Sequence, residues 1–119
     1  MRILLAEDEL LVALDIEAML RQLGHEVVGP AATVNEVERL ALREDLEGAL
    51  LDVNLRGARI FRVLPRLLAR SLPVILSSGY DQATLFPDEF RGLPVLVKPY
   101  DARQLESMLN AAFGSRSPT

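Results

Sequence analysis

The chain has 119 residues, which at roughly 150 residues per domain predicts one domain and leaves no room for an appended DNA-binding or enzymatic module. Half of the residues are apolar and a quarter are charged, so the chain can bury a core and is not a disordered polymer. Thirteen basic residues against seventeen acidic ones argue against nucleic acid as the main partner, and the absence of cysteine excludes disulfides, thiolate metal sites and cysteine nucleophiles.

Arg2 to Ala6 reads as a buried strand. It is too short, before Glu7-Asp8-Glu9 interrupts it, to be the core of a secretory signal. No later apolar run approaches the roughly eighteen residues of a membrane helix, so the expected compartment is the cytoplasm. From Glu9 to Leu23 the residues Val12, Ile16, Met19, Leu20 and Leu23 recur at helical spacing, and Gly24 is a C-terminal stop. Glu26 to Gly29 is a second strand, and Thr33-Val34-Asn35-Glu36 has the form of a capping box that opens a second helix. His25, the only histidine, is expected at the surface.

Gly48 to Asp52 is a third strand, too apolar to be half exposed, and Arg56-Gly57 is a turn leading to Ile60, Val63, Leu64, Leu67 and Leu68. Pro65 lacks an amide hydrogen, so the third helix starts near Leu64 or kinks there. Pro73 to Leu76 and Pro94 to Val97 are strands four and five. Between them, Asp81 to Pro87 allows at most a turn or two of helix, which predicts a shortened fourth helix. Asp101 caps the last helix, with Leu105, Met108, Leu109 and Ala112 facing inward.

Five βα units in succession predict an α/β fold, a flavodoxin-like doubly wound parallel sheet of strand order 2-1-3-4-5. In that order the chain reverses direction across the sheet between strands one and three, and ligands bind at their carboxyl ends. Glu7 and Asp8 close strand one, Asp52 strand three, Ser77 and Ser78 strand four, and Lys98 strand five. Three converging carboxylates repel by a few kcal/mol per close pair at an effective dielectric near ~20, so the cluster calls for protons or a cation. Oxygen donors without nitrogen or sulfur favour Mg2+ over zinc. Lys98 and one serine hydroxyl would complete a pocket for an anion, with Asp52 the best-placed carboxylate to carry a phosphoryl group. Neighbouring strand residues face opposite sides, and the place before Gly79 selects Ser78 over Ser77.

Four stretches in this order carry a family resemblance: Leu4-Leu5-Ala6-Glu7-Asp8-Glu9, Leu50-Leu51-Asp52-Val53-Asn54-Leu55, Ile75-Leu76-Ser77-Ser78-Gly79-Tyr80 and Val97-Lys98-Pro99-Tyr100. From Arg2 to about Phe113 the chain resembles a two-component response-regulator receiver domain, which assigns residues 1–113 to the domain and 114–119 to a flexible tail. The resemblance implies Asp52 as phosphoacceptor, and Mg2+ held by Asp8, Asp52 and the backbone carbonyl of Asn54, with Glu7 acting through water. It further implies Ser78 as switch hydroxyl, Lys98 as the cation on the phosphoryl group, and a cis bond to Pro99. The donor would be a phosphohistidine of a sensor histidine kinase or histidine phosphotransfer protein. Such a domain is a phosphoacceptor that assists its own phosphorylation and dephosphorylation, not an enzyme acting on other substrates.

Two features depart from common receivers. Val95 stands three positions before Lys98, where many have an aromatic residue coupled to the switch hydroxyl, and the segment after Gly79 is short. With Gly79-Tyr80, Gly29-Pro30-Ala31 and Asn54-Leu55, it is similar to a subfamily of stand-alone receivers. Leu10, Leu11, Leu14 and Ala18 form a second apolar strip on the first helix. The resemblance assigns Leu11, Leu14 and Ala18 to kinase recognition, with a homodimer as the other use of the strip. The leading expectation is a phosphoryl shuttle or a switch for a downstream protein target. The alternative is a non-phosphorylated adaptor that binds its partner constitutively. A phosphatase or flavin-binding domain of the same architecture lacks support, because there is no phosphate-cradling glycine loop and few aromatic residues.

Overall fold

The computed structural model describes residues 1–79 and 86–114. In chain order the main elements are β1 (Arg2–Ala6), α1 (Leu10–Gln22), β2 (Glu26–Ala31), α2 (Val34–Leu40) and β3 (Gly48–Asp52). A short hairpin, β4 (Asn54–Leu55) and β5 (Ala58–Arg59), follows, then α3 (Leu64–Leu68), β6 (Val74–Ser78), β7 (Val95–Val97) and α4 (Ala102–Phe113). The five long strands form one parallel sheet of order β2-β1-β3-β6-β7, which is 2-1-3-4-5 when only its own strands are counted. This is the doubly wound α/β, flavodoxin-like arrangement expected of five βα units.

Alternation along the strands builds two cores. Ile3, Leu5, Leu50, Ile75 and Leu96 face α1 and α4, where they meet Ile16, Leu20, Leu105, Leu109 and Phe113. Leu4, Ala49, Leu51, Val74 and Leu76 face α2 and α3, where they meet Val34, Val37, Leu64 and Leu67. Each such valine, leucine, isoleucine or phenylalanine contributes about 1.5–3 kcal/mol on full burial, which makes this layering the main stabilising term. Two glycines permit it. Gly29 has φ +104, and a Cβ there would lie 2.7 Å from the Ala31 nitrogen and 2.8 Å from the Leu5 oxygen. A Cβ on Gly48 would lie 2.9 Å from the Phe113 ring.

Thr33 caps α2 through the Glu36 amide, and Asp101 with Gln104 closes a full capping box on α4. The third helix begins at Leu64 with Pro65 in its first turn, where a missing amide hydrogen costs no hydrogen bond, and a 3-10 turn at Ile60–Arg62 precedes it. The second strand runs two residues past Gly29, and the Gly29–Pro30 and Lys98–Pro99 bonds are both cis. Most of the predicted short fourth-helix segment lies outside the described residues. Of it, Phe86 is buried and Pro87 leads into a 3-10 turn at Asp88–Phe90. The predicted tail lies outside them too, apart from Gly114. Among the described residues no helix is long and apolar enough to cross a membrane.

Candidate functional site

The carboxyl ends of β1, β3, β6 and β7 meet at one edge of the sheet, and an open cleft of about 310 Å³ there is lined by Asp8, Asp52, Asn54, Ser78, Gly79 and Lys98, among others. Backbone bonds fix each contributor. The Glu7 amide continues the β1–β2 ladder to the Ala31 oxygen at 2.9 Å, and the Lys98 amide reaches the Ser78 oxygen at 2.7 Å. Asp52 stands in register with Ser77, and Ser78 with Val97. Rigid strand ends therefore carry the polar side chains, whereas the apolar strand interiors hold them in place.

Lys98, the single lysine of the chain, bridges two buried carboxylates. Its Nζ donates to Asp52 Oδ2 at 2.7 Å and to Glu7 Oε1. Glu7 is 2% exposed and Asp52 7%. The second oxygens of these carboxylates accept from backbone amides, Glu7 Oε2 from Glu9 and Asp52 Oδ1 from Asn54, both at 3.1 Å. Asp8 Oδ2 accepts from the Arg56 amide at 2.7 Å. The β4–β5 turn, with Arg56 at φ 50 and Gly57 at φ 84, aims that amide at the cluster.

The electrostatics follow from this geometry. Burial pushes the Glu7 carboxyl above its usual range, against the lowering effect of Lys98. Burial would also raise Asp8, but the opposing effects, led by the hydrogen bond from the Arg56 amide, outweigh it and hold the carboxyl below the usual carboxylate value. For Lys98, burial alone would lower the ammonium, and the hydrogen bonds to Asp52 and Glu7 outweigh it and raise it. Burial pushes the Tyr100 phenol up to about 12.

One oxygen from each of Glu7, Asp8 and Asp52 lies within 4.8 Å of the others. Three carboxylates against one ammonium leave an excess of negative charge, and the donors are all hard oxygens, which suits a cation such as Mg2+. Asn54 sits at the mouth of the same cleft, as the first residue of the hairpin. Of the two serines, Ser78 lines the cleft, and Ser77 lies on the other face of β6 with its hydroxyl buried toward Tyr100. On α1, Leu11 is 77% exposed, Leu14 is 49% exposed and Ala18 is exposed, so the second apolar strip stands clear of the core.

Three relationships escaped the sequence reading. The Arg56 amide reaches Asp8, although only a turn was expected at Arg56-Gly57. Lys98 pairs with Glu7 as well as with Asp52. The Tyr100 hydroxyl is buried on the Ser77 side of β6. The turn dipeptide was a signal for the first, and nothing in residue spacing signals the other two.

No family model matches the chain. It is 29% identical over 113 residues to the phyllosphere-induced regulator PhyR of Methylorubrum extorquens, covering 92% of this chain and 42% of that protein. The chain spans about half or less of the length of the curated relatives it matches. The solution structure of SdrG from Sphingomonas melonis Fr1 superimposes with a TM-score of 0.81 at 32% identity, over 93% of this chain and 94% of that one. The receiver domain of the sensor histidine kinase PA1611 from Pseudomonas aeruginosa PAO1, which has a magnesium ion coordinated in its active-site cleft, matches with a TM-score of 0.81 at 27% identity over 96% of this chain and 98% of that one. With the carboxyl ends of β1, β3, β6 and β7 meeting at one sheet edge and relatives that span the receiver unit from end to end, the chain belongs to the response-regulator receiver-domain family.

Proposed function

We propose that this receiver domain accepts a phosphoryl group on Asp52 from a phosphohistidine of a sensor kinase or phosphotransfer protein, in a Mg2+-dependent reaction, and acts as a signalling switch or phosphoryl shuttle. The observation that carries the reading is the Lys98 ammonium 2.7 Å from Asp52, beside the acidic oxygens of Glu7 and Asp8. Asp8, Asp52 and the Asn54 backbone carbonyl would hold Mg2+, with Glu7 acting through water. Bound there, the ion would neutralise the carboxylates and the charge spread over the phosphoryl oxygens.

The chain's own groups do the rest. An Asp52 carboxylate oxygen attacks phosphorus in line, forming the O–P bond as the N–P bond to histidine breaks, and the departing imidazole takes up a proton. Lys98 exchanges its pairing with Asp52 for the new phosphoryl oxygens and keeps its charge throughout, because its neighbours raise its basicity. Ser78, which lines the same cleft, turns its hydroxyl toward a phosphoryl oxygen carried by Asp52. Kinase recognition falls to Leu11, Leu14 and Ala18.

The test is uptake of phosphate from acetyl phosphate, or of beryllofluoride, with and without Mg2+. Mg2+-dependent labelling that is lost in Asp52→Asn supports the reading. Labelling that persists in Asp52→Asn overturns the phosphoacceptor assignment. No labelling of the natural chain favours the constitutive adaptor, for which Val95 in place of an aromatic residue is the supporting observation.

A further inference from the structure

From Val53 to Tyr80 the chain has five arginines and no acidic residue, in a protein of net charge −4. All five, Arg56, Arg59, Arg62, Arg66 and Arg70, are exposed. Arg62, Arg66 and Arg70 follow one another at steps of four, from the 3-10 turn through α3 to the turn just after it. Two of them are fastened to the α2 side. Arg62 donates to Glu38 and Asn35, each at 2.7 Å, and Arg70 donates to the Ala41 and Arg43 carbonyls just past the end of α2. Arg56 and Arg66 have no side-chain partner among the described residues.

Two clefts open along this row. The upper one, about 270 Å³, is lined by Thr33, Asn35, Arg56 and Arg62, among others. The lower one, about 300 Å³, is lined by Leu42, Glu44, Arg66 and Arg70 with Ala41. Leu42 is 71% exposed at its rim. Arginine outnumbers acid along the row, where Glu38 is paired with Arg62 and Glu44 lines the lower cleft, and Leu42 adds a large exposed apolar side chain among the guanidinium groups.

We propose that the α2–α3 groove binds an acidic segment of a partner protein, with carboxylates on Arg56 and Arg66 and an apolar side chain against Leu42. The planar fork of arginine matches a carboxylate with two parallel hydrogen bonds. Arg62 to Arg70 spans about 12 Å at 1.5 Å per helical residue, the reach of roughly four extended peptide residues. Glu38, Glu44 and Asp45 bound the row, so a longer polyanion such as nucleic acid would run onto negative charge. A phosphate backbone also has no use for Leu42. The groove lies on the opposite face of the sheet from α1, so a partner seated here leaves the α1 strip free. This inference does not rest on the chemistry of Asp52.

The experiment is fluorescence anisotropy of a labelled peptide of alternating glutamate and leucine, about eight residues long to cover the row with its ends free. It is run on Asp52→Asn protein, so that its outcome stands apart from the phosphorylation test. We expect saturable binding that weakens about tenfold in the Arg56→Glu, Arg66→Glu double variant, as two charge-assisted contacts are reversed, and severalfold in Leu42→Ala. Circular dichroism of the variants should match the parent, because neither arginine holds the fold. Absence of saturable binding, or binding unchanged in the double variant, would overturn the proposal. So would tighter binding, through the same arginines, of a single-stranded RNA or of phosphatidylserine vesicles.

Discussion

Lys98 and Asp52 are joined by a 2.7 Å hydrogen bond at the carboxyl edge of the sheet, and the same ammonium also holds Glu7. One cation thus compensates two carboxylates that the fold keeps from water. Lys98→Met removes the compensation and leaves both carboxylates facing each other. We expect a loss of about 2–4 kcal/mol at neutral pH, less than for a fully enclosed pair because Lys98 keeps some contact with water. Burial raises the Glu7 pKa, so its protonated form is favoured in the native state, and the penalty should shrink as pH falls toward and below its folded value. Urea denaturation of both proteins at pH 7 and at about pH 4, below the ordinary glutamate value of 4.5, measures this, and a loss that is equal at both would contradict the account.

The strip on α1 predicts a separation between donors. Leu14 is half exposed and touches neither core, so Leu14→Glu should leave stability within about 0.5 kcal/mol. It should slow transfer from the cognate kinase by about tenfold or more, as expected when a charge enters an apolar contact, while acetyl phosphate labels it at the parental rate. Parallel phosphotransfer assays decide it. Equal slowing with both donors would remove the strip from recognition.

Two glycine substitutions should differ in severity. In Gly29→Ala the new Cβ meets backbone atoms of Ala31 and Leu5 at a φ of +104, and neither can yield. We expect a loss of about 3 kcal/mol or more. In Gly48→Ala the clash is with the Phe113 ring, which can shift at the end of α4, so about 1–2 kcal/mol is expected. Thermal unfolding of the two proteins ranks them, and the reverse order would refute the explanation.

His25 gives the stability a dependence on pH. Burial, and then the Met1 amine 3.2 Å from Nδ1, lower its pKa from the ordinary 6.5. The unfolded chain therefore binds this proton more readily than the native one. The contribution is present above pH 6.5 and is lost as pH falls through the depressed native value. Denaturation midpoints between pH 7.5 and about 5 should fall less steeply in His25→Gln than in the parent. An unchanged slope would assign the dependence to other groups.

Much of the architecture is visible in residue order. Continuous apolar runs such as Gly48 to Leu51 need cover on both faces, and helix-period segments between them supply it, so a parallel sheet follows. The site is equally legible, since Glu7, Asp8, Asp52, Ser78 and Lys98 all stand where strands end, and the topology gathers such ends at one edge. Strand alternation, however, had to be combined with Gly79 to separate Ser78 from Ser77. The extension of β2 through Pro30 was missed because proline reads as a strand end. In the structure β2 is an edge strand, where a missing amide hydrogen is tolerated. The Arg56 contact with Asp8 was hidden for a different reason: it depends on a left-handed backbone at a non-glycine residue, which composition does not announce. Whether Lys98 reaches one carboxylate or two is set by side-chain packing in three dimensions.

Because every lysine or arginine position but Lys98 is arginine, acylating reagents meet two kinds of strongly basic side chain here, the inert guanidinium and the amine of Lys98. The latter is kept protonated by the carboxylates it bridges and is a poor nucleophile while they hold it. An ester-activated dye at mild pH will therefore spare the cleft, and acylation of Lys98 will report the release of its two carboxylate partners.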